Sequence, residues 1–340
     1  MSEAPAPLPK AEEVAEAATH AERPLGPPPV LAMTLMGGLL VLGIGLAMLI
    51  APLYTPVFED PQDIGNAGLY LVFVVAFTAV ILLVARYKLE WLIQAIILGA
   101  VLMSLVYLLA PLLGAALGFN AVAPAPEHAD TANLVWLASA GLAIGLTVLL
   151  WKYPEWWVID TVGIGVAAGA GAYFGISFGI LPSLALLIGF AAYDAIAVYR
   201  TKHMIDLADK VMDLRLPILL IVPKHRGYSF LKEEAKLKEK LAKGEEREAL
   251  FMGLGDVVIP CVLVVSALRF LDPVPAFAGL TGNLVVSLAT LLGALAGYAV
   301  LMTLVAKGKA HAGLPSLNGG AIAGFLLALL PLYGIAPLLP

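Results

Sequence analysis

Long apolar runs alternate with short polar breaks along this chain, and nine of the runs are about as long as a bilayer is thick. A helix needs roughly 20 apolar residues to cross the hydrocarbon, and the runs fall at 29–52, 67–85, 91–118, 131–151, 156–177, 179–199, 250–271, 277–305 and 313–337. The pattern predicts an all-α polytopic membrane protein with nine transmembrane helices: six over 29–199 and three over 250–337. One polar interruption is long. Residues 200–249 are dense in Lys and Glu and hold one brief apolar stretch, LPILLIVP at 216–223, too short to span. Residues 1–28 are rich in Ala, Pro and Glu, with no apolar core or cleavage motif, and read as a disordered tail.

Composition agrees with the pattern. The chain is 61% hydrophobic and 13% charged, where soluble domains carry about half and about a quarter. One cysteine, Cys261, excludes an intrachain disulfide, and the five histidines (His20, His128, His203, His225, His311) show no metal-ligand spacing. No metal, cofactor or nucleic acid is expected.

Charge sets the orientation. Lys and Arg are retained on the cytoplasmic side of membrane proteins. With the N-terminus inside and the C-terminus outside, all of the 20 basic residues but Arg269 fall on the inner side. The outer loops carry Glu59, Asp60, Asp63, Glu127, Asp130 and Asp272 instead. The chain is therefore expected to be a multi-pass protein of the cell membrane, with 1–28 and 200–249 cytoplasmic. Trp136, Trp151, Trp156 and Trp157 fall at predicted membrane ends, where tryptophan prefers the interface.

Ionisable residues within the apolar runs are few, and each costs roughly 3 kcal/mol or more near the bilayer centre. Asp160, four residues into the fifth run, is expected at the interface, reaching water and free backbone donors. Asp206, Asp209 and Asp213 are expected to be solvated. Asp194 lies six residues before Arg200, about 9 Å from the inner end of its helix. Asp256, reached from the same face by the next helix, lies about 10–12 Å deep. Two antiparallel neighbours would hold two carboxylates at one level, with no cation there to neutralise them. Such a pair cannot both ionise, and shares a proton. One member can then take a proton from water while the other donates to a carbonyl oxygen, with no covalent intermediate. Gly253 and Gly255 flank Asp256 and allow another backbone to approach; Pro260 gives no amide hydrogen to the Asp256 carbonyl, weakening the helix there.

At these residues the chain resembles the presenilins and signal peptide peptidases, the GxGD intramembrane aspartyl proteases, and within them the compact prokaryotic, archaeal-type members. Tyr193–Asp194 is similar to the family's YD motif, and Gly253, Leu254, Gly255 and Asp256 are similar to its GxGD motif. Its PALP motif corresponds to Ala312, Gly313, Leu314 and Pro315, which depart from it at the first two positions. The resemblance implies that Asp194 and Asp256 are the catalytic aspartates. It also implies that Tyr193, Gly253, Leu254, Gly255, Gly313, Leu314 and Pro315 line the substrate side, and that transmembrane proteins or peptides are the substrates. The orientation derived from charge is that of presenilin; signal peptide peptidase is inverted. Self-association between copies is left open.

Two further readings of the residues stand beside this one. Buried carboxylates also serve ion channels and proton-coupled transporters, but here they are confined to the inner half, with no charged path outward. Prepilin peptidase shares a GxGD motif in a different helix arrangement. The 216–223 run is expected either to pair with an unwound substrate or to lie on the membrane as an interfacial segment.

Overall fold

The computed structural model describes residues 30–87, 89–201, 219–225, 227–231, 248–305 and 312–339. The expected tail, most of the Lys/Glu connector, and Asp206, Asp209 and Asp213 lie outside them. Among the described residues there are nine α-helices of 17 residues or more: α1 (Val30–Ile50), α2 (Gly65–Arg86), α3 (Glu90–Ala116), α4 (Ala129–Lys152), α5 (Trp156–Ser177), α6 (Ile180–Ile196), α7 (Leu254–Phe270), α8 (Gly282–Val305) and α9 (Leu314–Tyr333). Seven stretches are long and apolar enough to cross a membrane by length and composition, the exceptions being α2 and α7.

Burial explains α7. Cys261, Leu263, Val264, Val265 and Ala267 are all fully inaccessible, because α1, α5, α6, α8 and α9 surround it. A helix apolar on every side belongs in the middle of such a bundle. The outward faces of α2 and α4 are apolar too: Val72, Phe73, Leu134 and Leu137 are each more than 60% exposed. In water that surface would be a liability; in lipid it costs nothing.

Glycine sets how closely the inner helices approach. On α5, an added Cβ at Gly171 or Gly175 would collide with Cys261 or Val265 of α7. On α8, Gly293 and Gly297 face the backbone of Gly320 and Ser316 on α9, while Gly320 and Gly324 face the Gly293 and Ala289 carbonyls in return. Both helices thus carry a G-x-x-x-G step at one seam, the arrangement by which membrane helices bring backbones into contact.

The expected start of the seventh helix is corrected. Residues 250–253 are not helical: Leu219–Pro223 (β1) and Ala249–Gly253 (β2) form an antiparallel hairpin, with Leu219 opposite Gly253 and Pro223 opposite Ala249. Leu220, Ile221 and Val222 are at most 4% exposed. The run at 216–223, so far as it is described, is therefore a core strand and not a segment lying on the membrane. Deleting it should unfold this end of the molecule. On one side its backbone pairs with β2; on the other the Ile221 amide donates to Asp160, and Pro223 has no amide hydrogen to offer.

Candidate active site

Asp194 stands near the end of α6. Just beyond it, over Ala197–Thr201, the helix widens into a π turn, a local break that often marks functional positions. Asp194 is buried, 7% exposed. Its Oδ2 accepts a hydrogen bond from the Leu314 amide at 3.0 Å, and the Gly313 amide faces the same carboxylate.

Asp256 is the third residue of α7, not seven residues inside a longer helix. The reason is the GLGD stretch itself. Gly253 is both the last residue of β2 and the residue that caps α7, with extended backbone angles (φ −65°, ψ 142°). The chain turns there from strand to helix, and the Asp256 carboxylate folds back toward the Gly253 amide. A carboxylate in the third helical position reaching back to the cap amide is half of a capping box. The geometry thus comes from ordinary helix-start chemistry.

One dipeptide connects the two aspartates. Leu314 donates its amide to Asp194, and a Cβ built on Gly313 would stand 3.3 Å from Oδ2 and 3.4 Å from Oδ1 of Asp256. The carboxylates also lie close enough to act on each other electrostatically. The pairing expected from depth alone is present, and the start of α9 closes it. Gly313 caps α9 and Pro315 sits in its first turn, where a missing amide hydrogen is harmless. Asn318, one turn on, is fully buried and donates from Nδ2 to the Leu187 carbonyl at 2.8 Å, tying α9 to α6. Gly313→Val should leave the bundle folded but reduce cleavage strongly, because its side chain must enter the dyad; kcat on a single-span reporter checks this.

The remaining expected residues divide. Gly255 is exposed, with nothing within 4 Å of the position a Cβ would take, so open space and not a neighbouring helix faces it. Leu254 packs inward against Gly163 of α5. Tyr193 is 37% exposed, and among the described residues no hydrogen bond joins it to either carboxylate. Asp160 is a correction: rather than standing solvated it is buried, its Oδ1 accepting the Ile221 amide at 2.7 Å. Glu155, unremarked in the sequence, is buried as well and accepts from Ser229 Oγ at 2.6 Å and the Phe230 amide at 3.1 Å. Their partners lie more than 60 residues away along the chain, so no local signal announces them. Among the described residues no cluster of side chains could hold a metal ion.

A membrane-embedded helical bundle with a paired-carboxylate site is the architecture of an intramembrane aspartyl protease. The profile of the signal-peptide peptidase, presenilin aspartyl protease family matches residues 31–333, and the chain belongs to that family. Two solved structures of a presenilin family intramembrane aspartate protease are similar to it. One, in space group C222, is 31% identical, with 88% of this chain and 96% of that chain covered and a TM-score of 0.57. The other, in space group P2, is 32% identical, with 89% and 98% covered and a TM-score of 0.59. A comparison with curated proteins gives no match. The chain is an integral membrane protein and an aspartic endopeptidase that acts on transmembrane substrates.

Proposed function

We propose that Asp194 and Asp256 are the two catalytic aspartates of this protease. The observation that carries the assignment is that both face one backbone segment: the Leu314 and Gly313 amides meet Asp194, and Gly313 lies beside the Asp256 carboxylate. With one proton between them, one carboxylate draws a proton from a water as its oxygen attacks the scissile carbonyl carbon. The other gives its proton to the carbonyl oxygen, yielding a tetrahedral gem-diol. Collapse breaks the C–N bond as the protonated carboxyl passes its proton to the leaving nitrogen while the other carboxylate takes the proton of a gem-diol hydroxyl, so the new carboxyl end forms and the pair is again singly protonated. The substrate helix must unwind for this, and membrane backbone unwinds only where protein or water satisfies its polar groups. The open space beside Gly255 and the strand-to-helix turn at Gly253 supply such a place. Gly253, Gly255, Gly313, Leu314 and Pro315 accordingly border the substrate, with Tyr193 at the exposed margin. Leu254 contributes packing beneath it.

The same reading takes the chain across the membrane nine times, with the N-terminus and 200–249 in the cytoplasm and the C-terminus outside the cell membrane. The distribution of basic residues supports it. A channel or transporter is not favoured, because the family is proteolytic.

The test is cleavage of a single-span reporter by the purified chain in lipid vesicles, beside folded, monodisperse Asp194→Ala and Asp256→Ala. Cutting within the span that either substitution stops supports the assignment; equal cutting by all three overturns it. Cleavage should also fall at both ends of the range from roughly pH 4 to 9, since only the singly protonated pair is competent. A flat profile of kcat over that range would count against a shared proton.

A further inference from the structure

The Asp160 carboxyl has no part in the chemistry above, yet it is buried in α5 and receives the Ile221 amide at 2.7 Å. Ile221 is the middle residue of β1 and lies opposite Phe251 of β2. Two residues past Phe251 is Gly253, whose amide faces Asp256. From α5 to the dyad the connection is thus one hydrogen bond, one strand pair and one turn. Gly163, three residues after Asp160 on the same helix face, lies against the side chains of both Leu220 in β1 and Leu254 at the start of α7.

β1 is packed on its inner side and open on its outer one. Its outer side borders a cavity of about 670 Å³, lined by Ile221, Val222 and Pro223 together with Leu31, Leu35 and Trp156, and Asp160 stands at the same wall. On that side the Asp160–Ile221 hydrogen bond is a polar tie between α5 and the strand. Glu155, just before α5, does the same for the segment after β1 through Ser229 and Phe230, and the Phe230 ring meets Phe251 with centroids 6.5 Å apart.

We propose that Asp160 is a positioning residue for the proteolytic site: by holding the Ile221 amide it sets the hairpin, and the hairpin sets where Asp256 stands relative to Asp194. This rests on the assignment of Asp256 as catalytic. Asp160 touches neither substrate nor reacting atoms, and its effect falls on kcat.

The experiment compares the full-length parent, Asp160→Asn, Asp160→Ala and Asp256→Ala on one single-span reporter in vesicles, with kcat and KM separated. Hydrogen exchange over the 219–222 amides is measured on the same preparations. Asn keeps a carbonyl oxygen for the Ile221 amide; Ala does not. The expected result is a kcat for Asp160→Ala roughly 10–100-fold below the parent, with KM changed less than about threefold, since small misplacements of reacting groups cost that much. Asp160→Asn should recover most of the loss, and β1 should exchange faster only in the Ala variant. If Asp160→Ala does not yield folded protein, Asp160→Ser, too short to reach Ile221, takes its place and is read the same way. Parent-like turnover in the Ala or Ser variant while Asp256→Ala is inactive overturns this proposal alone. Equal loss in Asn and Ala, or loss confined to KM, also overturns it. Turnover that survives in Asp256→Ala overturns the catalytic assignment instead.

Discussion

Asp256→Asn and Asp194→Asn should each lower kcat by about 1,000-fold or more, and the double variant should be no worse than either single one. Asparagine preserves volume and an acceptor oxygen, so the Leu314 amide keeps a partner in Asp194→Asn and the Gly253 amide keeps one in Asp256→Asn. What is lost is the proton inventory. A lone carboxylate can accept a proton from water but leaves the carbonyl oxygen without a donor, and a lone carboxylic acid has the opposite defect. Because attack and protonation occur in one step, removing either half removes the whole contribution of the pair, and the second removal finds nothing left to take away. Single-turnover cleavage of the vesicle-embedded reporter, with the melting temperature of each variant recorded alongside, measures this. Multiplying losses in the double variant would mean that the two carboxylates act in separate events.

The pairing of Asp194 with Asp256 was legible in the sequence because membranes impose depth. Two antiparallel apolar segments with charged inner ends share a common ruler of 1.5 Å per residue, which reaches the right pair although 249–253 are strand and Asp256 is only the third residue of α7. The same ruler misplaced the start of α7. ALFMGLGD reads as apolar helix by composition, but its first five residues find strand partners at 219–223, some 30 residues earlier, and only the paired geometry makes strand the better choice there. Local pattern cannot report a partner across a long connector. Asp160 failed for a related reason. Four residues into an apolar run, an aspartate with water in reach and one with a strand amide in reach look alike; burial and the Ile221 bond separate them. The glycines of α8 and α9 were visible as letters, yet Gly319 and Gly320 are adjacent and only one of them lies in a seam.

That adjacency makes the seam testable, with Gly320→Val and Gly293→Val expected to be among the most damaging substitutions away from the dyad. At both positions the new side chain must enter the backbone of the opposite helix, Gly293 O in one case and Gly320 O in the other. No rotamer avoids a clash with a main-chain carbonyl, so α8 and α9 must separate, and overpacking of this kind costs about 3 kcal/mol or more. Gly319→Val supplies the control: it changes the same atoms on the next residue, which is exposed and has nothing within 4 Å, and it should melt within a few degrees of the parent. The consequence reaches the site. Ser316, whose carbonyl faces Gly297, is three residues from Gly313, and Asn318 ties the same turn to α6. Prying α9 from α8 therefore withdraws Gly313 and Leu314 from the carboxylates. The smaller Gly297→Ala should show this in milder form, with kcat falling by a larger factor than stability alone explains. Thermal unfolding and reporter cleavage on the same preparations decide it. If Gly320→Val and Gly319→Val melt together, the close approach of α8 and α9 is not what holds this half of the molecule.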